Sequence, residues 1–251
     1  MEYTLKKSLG QHFLHDEQVI KQIIDAIVQL NQTQIVEVGP GGGALTKHLL
    51  SISSIQLKAI EFDQEKVAYL QKQYPNYASV FLQQDFLKAI PPFADSFAVV
   101  GNFPYNISSQ ILFKILDWKE QVPFVVGMFQ KEVAERVAAS PNSKAYGVIS
   151  VLIQAFYSVT YLFDVPAHCF NPPPKVVSGV ILLERRKDTL PIQSHKKFVL
   201  LVKTAFGQRR KMLRNPLKPY FTAEKLQHPL FNKRAEQLSL NDFVALSNEM
   251  N

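Results

Sequence analysis

A glycine-rich turn joins an apolar strand pattern to a helical pattern in the first fifth of the chain. Residues 34–38 (QIVEV) form a short apolar run, residues 39–43 read GPGGG, and a helical pattern follows over 44–52. Glycine reaches backbone conformations that other residues avoid, and it lets the main chain approach a bound ligand closely. The alternative is a glycine turn without a ligand. Either way, a strand that leads through such a turn into a helix predicts a β–α unit of a nucleotide-binding type of fold.

Strand and helix patterns alternate along most of the chain, after an amphipathic helical pattern over 16–30. Further apolar strand patterns occur at 56–61, 80–83, 97–100 and 123–128, and helical patterns at 64–73, 107–118, 131–139 and 148–156. The runs at 159–163 and 176–183 could form a closing strand hairpin. This order predicts an α/β fold with a Rossmann-like, doubly wound, mainly parallel sheet. The strands lack polar alternation, which is typical of strands buried on both faces.

The character of the sequence changes after residues 185–187 (RRK). Only short helical patterns follow, at 195–206, 224–226 and 240–249. We therefore predict two domains, residues 1–187 and residues 188–251, of which the second is small and helical.

The basic charge of the chain is concentrated in its last quarter. The net charge is +7, but residues 1–184 hold 14 Lys and Arg against 16 Asp and Glu, whereas residues 185–251 hold 14 against 5. Such asymmetry predicts a polyanionic partner, with a solvated surface as the alternative. Arg209, Arg210, Lys211 and Arg214 fall on a stretch with a helical pattern, and we assign them to RNA backbone docking.

Composition excludes several other classes of protein. No apolar run reaches the roughly 18 residues that a membrane span requires, and the first seven residues lack the apolar core of a signal peptide. The single cysteine, Cys169, cannot form an internal disulfide, so we expect a cytoplasmic protein. The six histidines are scattered without ligand spacing, so we expect no metal.

Two acidic residues follow the second and third strands. Glu61 ends the second strand, 22 residues after Gly39, where a carboxylate can accept hydrogen bonds from both ribose hydroxyls of a nucleoside. Asp85 follows the third strand, where it could bind an adenine amino group or cap a helix. Position 44 is alanine, so the turn at Gly39 and Gly41 is not the G-x-G-x-x-G fingerprint of dinucleotide folds. The form G-x-G-x-G, with glycines at 39, 41 and 43, instead suits a ligand without a pyrophosphate, such as S-adenosylmethionine.

The sequence Asn102-Phe103-Pro104-Tyr105 follows the fourth strand, at the edge where α/β sites lie. The N6 nitrogen of adenine is a poor nucleophile because its lone pair is delocalised into the ring. The Asn102 side-chain oxygen and a backbone carbonyl, of Phe103 or Pro104, could accept its two hydrogens and free that lone pair. Pro104 restricts the turn, and Tyr105 offers a ring for a base taken out of its stack. The alternative is a proline turn capped by asparagine. We predict methyl transfer to adenine N6, a direct displacement that needs no metal.

These residues together resemble the ribosomal RNA adenine N6-dimethyltransferase family, over most of the chain. The box at 102–105 is similar to the family's Asn-Leu-Pro-Tyr, with phenylalanine in place of leucine, and His12 stands where the family usually has asparagine. The segment at 205–215 (AFGQRRKMLRN) looks more like the small-subunit branch of the family than its large-subunit relatives. The other segments that carry the resemblance are residues 9–14 (LGQHFL), 130–136 (QKEVAER), 143–147 (SKAYG) and 170–178 (FNPPPKVVS).

The resemblance implies a catalytic domain at 1–187 and an RNA-docking domain at 188–251. It implies dimethylation of two adjacent adenines in a hairpin near the 3′ end of small-subunit ribosomal RNA, on that RNA or an immature subunit, and a role in subunit biogenesis. Phe170 would form a second wall of the adenine pocket, and we expect a monomer. The alternatives are a large-subunit methyltransferase of the macrolide-resistance type, a non-catalytic RNA-binding assembly factor and a small-molecule methyltransferase. The implied S-adenosylmethionine site comprises His12, Leu14, Gly39, Gly41, Glu61, Asp85 and Asn102.

Overall fold

The computed structural model describes residues 12–251, and they form an α/β fold. Its strands are β1 (Phe13–Leu14), β2 (Gln34–Val38), β3 (Gln56–Glu61), β4 (Phe81–Gln83), β5 (Ala98–Asn102), β6 (Phe124–Gln130), β7 (Tyr157–Val165), β8 (Phe170–Asn171) and β9 (Ser178–Arg185). Its α-helices are α1 (Glu17–Val28), α2 (Thr46–Leu50), α3 (Gln64–Gln73), α4 (Ser108–Asp117), α5 (Lys131–Ala138), α6 (Val148–Gln154), α7 (His195–Gly207) and α8 (Leu240–Asn248). Among these residues every helix is too short or too polar to cross a bilayer.

Seven strands form one sheet in the order β4-β3-β2-β5-β6-β9-β7. The pairs β3–β4, β2–β3, β2–β5 and β5–β6 are parallel, and β9 joins β6 in antiparallel orientation. The predicted doubly wound, mainly parallel sheet is confirmed. Because the chain order reverses between β2 and β5, the carboxyl ends of these strands border a crevice where α/β proteins bind ligands.

Two compact units divide the chain. One consists of the described residues up to Ala134 together with Val159–Arg185, and the other of Glu135–Ser158 together with Arg186–Asn251. The change of unit at Arg185–Arg186 lies close to the boundary that we predict at residue 187. The sequence did not indicate that Glu135–Ser158 belongs with the C-terminal segment, because that grouping depends on contacts between residues far apart in the chain.

The second unit has its own apolar core. One face of α7 buries Phe198, Leu201, Val202 and Ala205, and α8 buries Phe243 beside it. The rings of Phe206 and Phe243 stack with centroids 5.8 Å apart, and Tyr146 meets Phe206 edge-on at 6.0 Å.

The prediction that residues 209–214 are helical is wrong. Helix α7 ends at Gly207, and Gln208 leaves helical backbone angles at φ −123° and ψ 49°. The backbone NH groups of Leu213 and Arg214 donate to the carbonyls of Lys233 and Phe231, not to residues one turn back. Glycine is a weak helix former, and these partners from another segment satisfy the backbone groups that a longer helix would have used.

Candidate active site

A cavity of about 330 Å³ lies at the carboxyl ends of β2, β3, β4 and β5 in the first unit. The structure brings most of the predicted site residues together around it. Those that line the cavity are His12, Leu14, Gly39, Gly41, Glu61, Asp85, Asn102, Phe103, Pro104 and Tyr105. Residues 1–11, which include the first seven residues and the first half of the 9–14 box, lie outside the described residues.

The glycine turn forms the floor of the cavity. Gly39 and Gly41 have φ angles of +68° and +58°, a region that favours glycine. A Cβ atom added at Gly41 would lie 3.3 Å from the ring of Phe13, and one added at Gly39 would lie 3.5 Å from the ring of Pro104. A side chain at Gly41 would crowd the Phe13 ring, whereas at Gly39 the contact would be an ordinary one and the positive φ angle is what favours glycine.

Glu61 is buried at the end of β3, and its carboxylate lies beside the glycine turn. One oxygen accepts a hydrogen bond from the NH of Asp63 at 3.0 Å, and the other accepts one from the NH of Gly41 at 3.4 Å. The neighbouring acid, Asp63, instead caps α3 by accepting from the NH of Glu65. This difference favours Glu61 over Asp63 as the carboxylate that faces a ligand.

Lys66 is a cavity residue that the sequence did not indicate. Its Nζ lies 3.6 Å from a Glu61 oxygen and 6.0 Å from the centre of the Phe13 ring, and only 7% of the residue is exposed. A lysine in the first turn of a helix is usually solvated, so nothing in the local sequence marks it. In the structure it supplies a positive charge beside the Glu61 carboxylate.

Glu37 is the second cavity residue that sequence reasoning missed. It is buried on β2, lines the cavity and accepts a hydrogen bond from the Thr46 hydroxyl of α2 at 2.7 Å. Burial raises the pKa of Glu37 to about 7, the nearby Glu61 charge adds to the rise, and the hydrogen bond from Thr46 opposes it. Its position two residues before the first glycine of the turn was the signal that could have identified it.

Asp85 caps a short turn while it lines the cavity. Its carboxylate accepts a hydrogen bond from the NH of Leu87 at 3.0 Å, at the start of a 3₁₀ turn over Phe86–Lys88. The sequence left open whether Asp85 caps a helix or binds an adenine amino group. The two roles are compatible here, because the cap fixes the carboxylate at the cavity wall.

Asn102 is anchored by the residue that precedes β1. Its side-chain NH₂ donates to the carbonyl oxygen of His12 at 3.1 Å, which leaves the side-chain oxygen as the acceptor end of the amide. Phe103 is fully buried against Phe129, and its NH donates to the Met128 carbonyl on β6. Pro104 accepts a hydrogen bond at its carbonyl from the NH of Ile107. The turn is therefore held by contacts on both sides.

Tyr105 and His12 form a stacked pair with ring centroids 5.8 Å apart and an angle of 27° between the planes. The Tyr105 hydroxyl shares a hydrogen bond with the Ser178 hydroxyl of β9, and His12 Nδ1 donates to the Pro172 carbonyl at 2.8 Å. Burial raises the pKa of Tyr105, against the opposing effect of the Ser178 hydrogen bond. The histidine that departs from the family pattern thus contacts the Tyr105 ring and, through its carbonyl, Asn102.

Phe170 and the four basic residues are not among the described residues that line the cavity. Phe170 is buried in β8, where it pairs with Leu14 of β1.

In the second unit, Arg209 donates to the Ser143 carbonyl and lies 3.5 Å from a Glu236 oxygen. Arg210, Lys211 and Arg214 are exposed.

Comparisons with known proteins identify the family of this chain. The family model described as ribosomal RNA adenine dimethylase matches residues 2–251. A curated relative from Cytophaga hutchinsonii, named ribosomal RNA small subunit methyltransferase A, is 49% identical over 97% of this chain and 96% of its own. A relative of the same name from Phocaeicola vulgatus is 48% identical over 98% of this chain and 89% of its own.

Two solved structures share the fold at lower identity. The chain superposes on a dimethyladenosine transferase from Plasmodium falciparum with a TM-score of 0.79, at 24% identity over 95% of this chain and 99% of that one. It superposes on the 23S ribosomal RNA methyltransferase ErmE with a TM-score of 0.72, at 21% identity and the same coverage. The predicted Rossmann-like methyltransferase fold is confirmed. Because the family model matches almost the whole of this chain, the chain belongs to the ribosomal RNA adenine dimethylase family.

Proposed function

We propose that this enzyme transfers methyl groups from S-adenosylmethionine to N6 of two adjacent adenines in a hairpin near the 3′ end of small-subunit ribosomal RNA. The observation that carries the proposal is the position of the Asn102–Tyr105 turn. It opens onto the same cavity as the glycine turn and Glu61, so an adenine and a nucleoside cofactor can meet there. The name of the relatives at 48–49% identity supports the small subunit as the target.

The residues around the cavity fit S-adenosylmethionine. Gly39 and Gly41 bring the main chain to the cavity wall, Glu61 offers carboxylate oxygens to ribose hydroxyls, and Asp85 offers an acceptor to the adenine amino group. The acidic side chains also suit a ligand that carries a sulfonium and an ammonium group. When bound, the cofactor supplies an electrophilic methyl group.

The protein's contribution is to hold the target nitrogen and orient its lone pair. We assign the two acceptor roles to the Asn102 side-chain oxygen and the Phe103 carbonyl, because the Pro104 carbonyl already accepts a hydrogen bond within the turn. With both amino hydrogens accepted, the nitrogen becomes more pyramidal and its lone pair points out of the ring. Positioning of this kind can supply several kcal/mol of the barrier reduction. The Tyr105 ring supports the base taken out of its stack.

The substrate is RNA or an immature small subunit, which the exposed Arg210, Lys211 and Arg214 of the second unit would help to bind through phosphate contacts. We place this step in the cytoplasm, during assembly of the small subunit. Transfer of the methyl group requires only orientation and displacement, so this assignment uses no metal.

The test is methyl transfer from labelled cofactor to undermethylated small subunits, large subunits and free adenosine, each with wild type and Asn102→Ala. We expect label only in small subunits, and a turnover about 10²–10³-fold lower for Asn102→Ala, since an oriented acceptor is removed. The exposed Asn76→Ala serves as the matched control and should match wild type. Label in large subunits would favour the macrolide-resistance type of enzyme. Label in free adenosine would favour a small-molecule methyltransferase, and the absence of label from all three substrates would favour a non-catalytic assembly factor.

A further inference from the structure

The pairing of β1 with β8 brings two dipeptides together that are far apart in the chain. Leu14 pairs with Phe170 in antiparallel register, and the NH of His15 donates to the carbonyl of Cys169 at 3.0 Å. Asp16 therefore lies beside residues 168 and 169, which the sequence separates from it by about 150 positions. Asp16, His168 and Cys169 meet in this way at a place that the methylation site does not use.

The ligand atoms of these three side chains all lie within 4.8 Å of one another. The Sγ atom of Cys169 is 3.7 Å from Oδ2 of Asp16. A zinc ion has bonds of about 2.3 Å to sulfur and about 2.1 Å to oxygen, so this separation corresponds to an angle of about 114°, close to tetrahedral. His168 is exposed, so its imidazole can rotate to complete three ligands without disturbing the core.

The carboxylate of Asp16 is oriented for this role by the helix that follows it. Its Oδ1 accepts hydrogen bonds from the NH groups of Gln18 and Val19, both at 3.0 Å, as the N-cap of α1. Oδ2 is thereby directed to the thiol. Hydrogen bonds that fix a ligand from outside the coordination shell are typical of zinc sites. The alternative is a thiol that donates a hydrogen bond to the capping carboxylate, beside a solvated histidine.

We propose that Asp16, His168 and Cys169 bind one zinc ion, with water in the fourth position. Binding forms a bond from each ligand to the metal, and the thiol proton of Cys169 is released to solvent. The metal would link the start of α1 to the segment before β8. It would thereby stabilise the β1–β8 pair, and β1 is preceded by His12 and contains Leu14, two residues of the cavity.

The test uses the full chain without an affinity tag, freed of metal by chelator and titrated with Co²⁺. We expect one Co²⁺ per chain, with a thiolate-to-cobalt charge-transfer band and the visible bands of tetrahedral coordination, all removed by Zn²⁺. Because Cys169 is the only cysteine, that charge-transfer band can arise from no other side chain. Zn²⁺ should also raise the melting temperature of the metal-free protein.

The variants distinguish a metal site from a hydrogen-bonded cluster. His168→Gln and Asp16→Asn should each lower Co²⁺ affinity at least about tenfold, and asparagine still caps a helix, so α1 keeps its start. The matched control is His228→Gln, another exposed histidine, which should bind like wild type. A wild-type chain without the charge-transfer band would overturn the proposal. Equal affinities for His168→Gln and His228→Gln would overturn it as well, since His168 would then not be a ligand.

Discussion

Glu61 is the residue on which cofactor binding depends most directly. Its oxygens lie beside the glycine turn and Lys66, so replacing it with alanine leaves ribose donors without an acceptor. We expect Glu61→Ala to weaken S-adenosylmethionine binding by about 1–3 kcal/mol in isothermal calorimetry, the cost of leaving buried donors unpaired. Glu65→Ala, an exposed acid on α3, is the control and should bind normally. Unchanged affinity in Glu61→Ala would remove the ribose assignment.

Tyr105 could act through its ring, by stacking, or through its hydroxyl, by hydrogen bonding, and two variants distinguish these roles. The hydroxyl is bound to Ser178, and the ring stacks on His12. If the ring supports the target base, Tyr105→Ala should lose more turnover than Tyr105→Phe, by about 5- to 150-fold, since base–aromatic stacking contributes about 1–3 kcal/mol. Single-turnover methylation rates measure this. Equal losses in both variants would assign the role to the hydroxyl.

The contact between β2 and α2 predicts a pH dependence of stability. Glu37 on β2 accepts a hydrogen bond from Thr46 on α2, and burial raises its pKa from 4.5 to about 7. Between pH 4.5 and 7 the folded state keeps a proton that the unfolded state has lost. Glu37 alone should therefore lower the free energy of unfolding by about 3 kcal/mol as pH rises through this window, and its contribution should not change further above it.

Urea unfolding of wild type and Glu37→Gln at pH 5 and pH 8 isolates this effect. Glutamine keeps an oxygen for the Thr46 hydroxyl but cannot ionise, and the other titrating groups are common to both proteins. We expect the wild type to lose stability relative to Glu37→Gln as pH rises. A difference between the two proteins that is independent of pH would show that Glu37 ionises alike in the folded and unfolded chain.

Helices and strands whose formation depends on a local pattern of apolar residues are predicted by the sequence. The apolar spacing at 16–30 correctly predicts α1, whose buried face comprises Val19, Ile20, Ile23 and Ile27. Residues 39, 61, 85 and 102, each of which the sequence places at or after the end of a strand, line one cavity at the carboxyl edge of the sheet. The segment at 209–214 was misjudged because its backbone partners, Phe231 and Lys233, are about 20 residues away.

Pairings over longer separations were not accessible from the sequence. Asp16 and Cys169 meet only because β1 pairs with β8, and a two-residue strand has no pattern that reveals its partner. Lys66 was missed for a related reason, since one of its neighbours at the cavity is the Phe13 ring, more than 50 positions away. Side chains whose role depends on a distant segment carry no local signal.

Over the whole molecule, the basic charge of the second unit predicts how RNA binding depends on salt. Arg210, Lys211 and Arg214 are exposed, whereas Arg209 contacts Ser143 and Glu236. Replacing the three exposed residues with alanine should weaken binding to specific and unrelated RNA alike. The slope of log affinity against log salt should fall by roughly 0.7–0.9 for each phosphate that is no longer neutralised.

The control removes the same charge from the first unit, through alanine at the exposed Lys21, Lys47 and Lys72. It should leave the slope closer to that of wild type, and S-adenosylmethionine affinity should be unchanged in both triple variants. Arg209→Ala should affect stability more than the slope, since its side chain binds within the unit. Identical slopes for wild type and the Arg210, Lys211 and Arg214 variant would show that the cluster is only a solvated surface.

The enzyme is expected to methylate adenine N6 in small-subunit RNA at a single site, the cavity at the edge of the sheet. The most direct measurement is mass spectrometry of RNA fragments from undermethylated small subunits after incubation with the enzyme and S-adenosylmethionine. We expect two methyl groups on N6 of each of two adjacent adenines near the 3′ end, and about 10²–10³-fold slower methylation of the same adenines with Asn102→Ala. Methyl groups on another base, on another atom of adenine or at scattered positions would contradict it.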